Sequence, residues 1–280
     1  MVGHPVNPIS GAKILAGESE LDFAFPAVLP VVWQRTCSSQ SRRAGWLGQG
    51  WSLPYETSLR VTATEVEIID AFEREVTFSL PQQGQSIHSP FEKITLERTG
   101  ERQFEQTDQD GLRRQFTVPT SGGDTAWMTA LIDRNGNAVR IEYSTRQQPE
   151  RLVDSAGRQY LLAFEGSRLA SVALDGVAQV SYEYNAAGDL AQVRSRLGDI
   201  VRSSPYREHI LIEHASPGGL VSRYEFDQYL PQGRVLRNWI NNGQTWAFVY
   251  RPGVTVVTDN LGRQQQFRFD DQQQFPRVCV

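Results

Sequence analysis

The sequence is almost without lysine. Of its 28 basic residues only Lys13 and Lys93 are lysines, and arginine supplies the rest. The planar arginine fork suits multi-donor pairing with carboxylates, although the base composition of a gene produces the same bias. Cysteine is as scarce: Cys37 and Cys279 are the only two. A disulfide scaffold carries more of them at closer spacing, so the chain is expected to fold in a reducing compartment. The longest apolar run, AFPAVLPVVW at 24–33, holds Pro26 and Pro30 and is too short to span a bilayer. The start, MVGHPVNPIS, lacks the basic-then-apolar order of a cleavable secretion leader. Neither sign of charge is in large excess, and a net charge of −4 argues against a nucleic-acid partner. Also missing is any stretch with apolar residues at helical spacing.

Short alternating segments fill the chain instead. Val139, Ile141 and Tyr143 share one parity, as do Tyr160, Leu162 and Phe164, and Val180, Tyr182 and Tyr184. Trp246, Phe248 and Tyr250 repeat the pattern, with Arg140, Glu142, Gln159, Glu183 and Ala247 among the residues between. Period two with aromatic and β-branched residues describes half-buried strands. Between them recurs Asp or Asn, two residues, then Gly: Asp108 with Gly111, Asp133 with Gly136, Asp154 with Gly157, Asn185 with Gly188, and Asp259 with Gly262. This is the composition of a type I turn followed by a residue at positive φ, the connection that returns a strand into a hairpin. The fold class is therefore all-β, a large antiparallel sheet. A division near residue 105 separates an N-terminal segment, 1–104, from the repeat array, 105–280.

Catalytic and metal-binding patterns are absent. No G-x-S-x-G elbow, phosphate loop or H-E-x-x-H occurs. Of His4, His88, His209 and His214, only the last two are close, and a spacing of five on a strand puts them on opposite faces. The loops at Gly111 and Gly136 fail an EF-hand register, because Thr117 falls where the bidentate glutamate of the twelfth position belongs and Leu131 where the first oxygen ligand belongs. No catalytic residue, metal or cofactor is assigned.

Beyond single turns, DSAGRQYLLAFEGSRL at 154, YEYNAAGDLAQV at 182 and DNLGRQQQFRFD at 259 resemble the tyrosine–aspartate (YD) repeat of Rhs proteins. The N-terminal segment carries a second and more specific likeness over residues 4–56. Its NP-x-x-G-x-K, ELDF, LPVVWQR and GWLGQGWSLPYE are similar to the start of the Rhs core in proteins linked to type VI secretion. The resemblance implies a spiralling β-cocoon that encloses a C-terminal toxin for delivery to a rival bacterium. It implies partners too: that effector, the remaining core, and spike-tip and chaperone proteins. The shell would be made in the cytoplasm, exported without a cleaved leader, and not inserted into a membrane. The chain would then be a fragment, a truncated gene product or a trimmed piece.

Three local expectations follow. Gly45, Trp46, Gly48, Gly50 and Trp51 pack flexible and bulky residues together, which suits a filled corner better than a ligand platform. A carbohydrate- or protein-binding sheet remains the alternative function. Self-cleavage is a second, with His4–Pro5 the candidate junction. Finally, the strand around QQQFRFD is expected to present an open edge with Phe267 and Phe269 uncovered, and so to promote self-association.

Overall fold

The computed structural model describes residues 1–3, 5–216 and 218–269. The strands pair antiparallel, and the only helical segments among the described residues are short 3-10 turns at Glu18–Glu20 and Pro54–Glu56. No helix among those residues is long and apolar enough to cross a membrane. Two compact units divide the chain. One holds Glu20–Arg35 and Ser52–Ser181; the other holds Met1–Ser19, Thr36–Trp51 and Tyr182–Val280. The strand Gln103–Asp108 runs across the 104/105 boundary, and both units combine N-terminal residues with repeat strands.

In the first unit, Thr125–Ile132 joins three other strands. It pairs with Arg113–Thr117, with Ala138–Tyr143 through Ala130–Ile132, and with Ser58–Val61 through Thr125–Trp127. The last contact returns the sheet on itself. Ser58–Val61, Glu65–Ile69 and Glu75–Ser79 pair in succession, as do Ser86–Ser89, Ile94–Glu97, Gln103–Asp108, Arg113–Thr117 and Thr125–Ile132, and the contact of Thr125–Trp127 with Ser58–Arg60 joins the two runs. Leu59, Val66, Leu96, Phe104, Phe116 and Met128 are all fully buried there. From Ala138 the sheet continues through Pro149–Val153, Gln159–Glu165 and Arg168–Leu174.

The second unit continues in simple order from Leu190–Ser195 to Gln264–Arg268. A small hairpin, Tyr206–Arg207 with Ile210–Leu211, is inserted along the way. The alternation read from the sequence appears here as burial. Tyr224, Phe226 and Phe248 are buried while Glu225, Ala247 and Val249 between them are exposed. Phe267 is also buried, and so is its cross-strand partner Thr255. Phe267 is thus covered where it was expected to be exposed, whereas Phe269 is half-buried.

Candidate functional site

The repeated turn is built from bonds that stay within five residues. At Asp133 the side-chain Oδ1 accepts from the backbone N–H of Asn135 and Asn137, both at 2.9 Å. The Asp133 N–H donates to the Asn137 carbonyl at 2.9 Å, and the Gly136 N–H donates to the Asp133 carbonyl at 3.1 Å. Gly136 adopts φ +87°. Asp108, Asp154, Asn185 and Asp259 repeat all four bonds, with Gly111, Gly157, Gly188 and Gly262 at positive φ. The carboxylate or amide thus satisfies backbone donors that the bend would otherwise leave unpaired.

The same backbone frame recurs where the Asp-x-x-Gly pattern is incomplete. Asp70 heads one with Glu73 at φ +59°, and Ser144 heads one with Gln147 at φ +62°. Ser195, Ser216 and Ile240 head others, with Gly198, Gly219 and Gly243 at the left-handed position. A serine before the spaced glycine was the available signal in SRLG at 195. Nothing in sequence marks Glu73 or Gln147, because a non-glycine residue takes positive φ only where the surrounding strands impose it.

Two measurements test this geometry. Gly136→Val places a β-branched residue at positive φ and is expected to cost about 1–3 kcal/mol, visible as a lower melting temperature than that of Gln148→Val. Equal melting temperatures contradict the turn. The second concerns acid. The amide of Asn137 donates to Asp133 and, with the turn's N–H groups, holds its carboxyl below the ordinary carboxylate value. That stabilisation is complete above the unfolded value near pH 4 and is lost as the pH falls through the lowered folded value. Asp133→Asn can make the same turn, as Asn185 does. It should therefore show a smaller drop in melting temperature than wild type below about pH 4. Superimposable pH profiles contradict this account.

Between the turns, the buried faces are covered by pieces of the N-terminal segment. In the first unit, Tyr55, Trp33, Phe23 and Tyr160 form a column of rings. Successive centroids are 5.4, 5.6 and 6.2 Å apart, with interplanar angles of 29°, 9° and 6°. Burial, then the nearby Asp154 carboxylate, pushes the Tyr160 hydroxyl up to about 12. Its hydroxyl donates to Asp154 Oδ2 at 3.1 Å, tying the ring column to a repeat turn. Beside the column, Arg35 is enclosed with two acids. Its Nε lies 2.9 and 3.0 Å from the Asp22 oxygens, and its Nη1 lies 3.0 Å from Glu20 Oε2. The three side chains are 2%, 1% and 0% exposed.

Tyrosines late in the repeat strands pin neighbouring backbone. Tyr143 donates to the Met128 carbonyl at 2.8 Å, and Tyr250 donates to the Val235 carbonyl at 2.7 Å. Burial raises both hydroxyls well above the usual phenol value. A buried tyrosine needs such a partner for its polar end.

In the second unit, the predicted glycine–tryptophan corner is a tight hairpin. Ala44–Gly45 pairs with Gly48–Gln49, leaving Trp46 and Leu47 as the loop. Gly48 and Gly50 take φ +95° and +84°. A side chain on Gly50 would begin 3.3 Å from the Ser38 carbonyl oxygen. Trp51 is buried, and its Nε1 donates to the Tyr206 hydroxyl at 2.8 Å, which in turn donates to the Leu190 carbonyl at 2.8 Å. Trp46 is half-buried, with its carbonyl 3.5 Å from the Tyr184 hydroxyl. Lys13, fully buried, sits with its Nζ 4.8 Å from the centre of the Tyr224 ring. His209 does not meet His214: its Nδ1 lies 2.7 Å from Asp189, whereas His214 stacks on Tyr224. No group of three or more His, Cys, Asp or Glu among the described residues is arranged to hold a metal. Of the candidate cleavage junction, His4 lies outside the described residues. Pro5 accepts a hydrogen bond from the Ile14 N–H at 3.1 Å.

Comparison with known proteins places these features in company. Residues 3–78 match a family described as a domain of unknown function, DUF6531. The chain is 33% identical over 318 aligned residues to the toxin protein Tse5 of Pseudomonas aeruginosa, covering 96% of this chain and 24% of that protein. It is 30% identical to the double-stranded DNA deaminase toxin A of Burkholderia cenocepacia, covering 98% of this chain and 20% of that protein. It is 28% identical to the probable deoxyribonuclease RhsB of Dickeya dadantii, covering 95% and 19%. The chain thus spans a quarter or less of the length of these curated relatives. Among solved structures, the Tc holotoxin pore of Photorhabdus luminescens aligns with 87% of this chain and 19% of its own, at 9% identity and a TM-score of 0.25.

Proposed function

This chain belongs to the Rhs family of YD-repeat proteins, and from that premise we propose that it is a wall segment of a toxin shell, enclosing an effector that type VI secretion delivers to a rival bacterium. One observation carries the reading. Nearly the whole chain is shared by relatives named for different activities, a DNA deaminase toxin and a deoxyribonuclease, yet it matches only 20% and 19% of their lengths. A segment common to proteins of different chemistry suits a shared housing better than a shared catalyst. The self-bonded turns and filled faces support the same role, since a wall must hold its shape without a ligand. In this reading the segment is not itself the enzyme, and the product is made in the cytoplasm before export.

An in-frame deletion of codons 1–280 in the producing bacterium tests it. The deletion is expected to abolish killing of a susceptible competitor and to leave the remaining product degraded by proteases that spare the intact protein. Undiminished killing by the deletion strain overturns the proposal.

A further inference from the structure

Two pentapeptides outside the aligned repeats match each other: Asp70-Ala71-Phe72-Glu73-Arg74 and Ser89-Pro90-Phe91-Glu92-Lys93. Each is a turn at a strand end, headed by a short polar residue that bonds its own backbone. Asp70 Oδ1 accepts from Phe72 and Arg74, and Ser89 Oγ accepts from Glu92. Arg74 ion-pairs with both Asp70 and Glu92 and so bridges the two turns. Each turn lifts a phenyl ring into solvent: Phe72 is 68% exposed and Phe91 is 91% exposed.

A single exposed apolar side chain is ordinary. Two aromatic rings on matching turns, cross-linked by an arginine, are a different case. The turn backbones that carry them are held by their own hydrogen bonds, so little backbone freedom is lost when a partner covers the rings. The surroundings define the partner. On these turns and the adjoining outer strand face stand Glu65, Glu67, Asp70, Glu73, Glu75 and Glu92, against Arg60, Arg74 and Lys93. That acidic excess repels an anionic lipid leaflet and attracts a basic protein surface.

We propose that the Phe72 and Phe91 turns form a docking surface for a separate partner protein that presents an apolar socket rimmed by lysine and arginine. The two rings enter the socket and the surrounding carboxylates meet its cationic rim.

The probes are synthetic peptides carrying a leucine pair flanked by lysine and arginine, and the same peptides with glutamate in place of every basic residue. Binding to the whole chain is read by fluorescence anisotropy. The basic peptide is expected to bind wild type about tenfold or more tightly than the Phe72→Ser/Phe91→Ser variant, and to weaken as salt is added. The Phe72→Leu/Phe91→Leu variant should retain most of the affinity. Because both rings are exposed, melting temperatures should agree across all three proteins. The proposal is overturned if the serine variant binds as well as wild type, if the glutamate peptide binds equally, or if phosphatidylserine vesicles retain wild type but not the serine variant.

Discussion

Replacing Arg35 by alanine is expected to lower the unfolding free energy by about 3–5 kcal/mol, the range for removing one partner of a buried charge pair. The reason is what it leaves behind. Glu20 and Asp22 are enclosed with the guanidinium between them, and each lies within 3.0 Å of it. Without Arg35, two carboxylates must remain charged in a site that excludes water, or take up protons to fold. A typical domain is stable by only about 5–15 kcal/mol, so the loss is a large fraction of the total. Urea denaturation of wild type and Arg35→Ala measures it. The triple variant Arg35→Met, Glu20→Gln, Asp22→Asn removes all the charge and should recover part of the loss, since what destabilises the single variant is the unpaired charge rather than a missing attraction. A single variant as stable as wild type contradicts the buried triad.

Trp33→Ala is expected to cost a similar amount, about 3–5 kcal/mol, as for other large-to-small changes at buried tryptophan. Trp33 is completely buried and stands second in the column from Tyr55 to Tyr160. Its loss opens a cavity that Phe23 and Tyr55 cannot both move to fill without breaking their other contacts. The comparison is Phe72→Ala, an aromatic truncation of comparable size at an exposed position, which should change stability by no more than about 0.5 kcal/mol. Equal effects from the two substitutions contradict the packing described for the column. Trp33 lies in the N-terminal LPVVWQR stretch, so this result also tests whether that segment holds the repeat sheet together.

Much of this architecture was legible in the chain itself. The strands announced themselves because side chains alternate faces every residue, and burial on one face selects apolar residues at that period. The turns at Asp108, Asp133, Asp154, Asn185 and Asp259 were equally plain, because their bonds join residues no more than four apart. A structure whose partners are all local is written in a local motif.

What the sequence alone could not assign was who meets whom at long range. Trp33 shares its ring column with Tyr160, Trp51 donates to Tyr206, and Lys13 lies over Tyr224, each pair separated by more than a hundred positions. Nor could it foresee that Glu73 and Gln147 would stand at positive φ, or that Arg35 would be sealed between two acids. Composition and period set which face of each strand is apolar. Which N-terminal residue covers that face depends on strand register and on how the sheet returns on itself at Thr125–Ile132. These are properties of the assembled backbone, where many weak pairings decide together and no single stretch of residues carries the information.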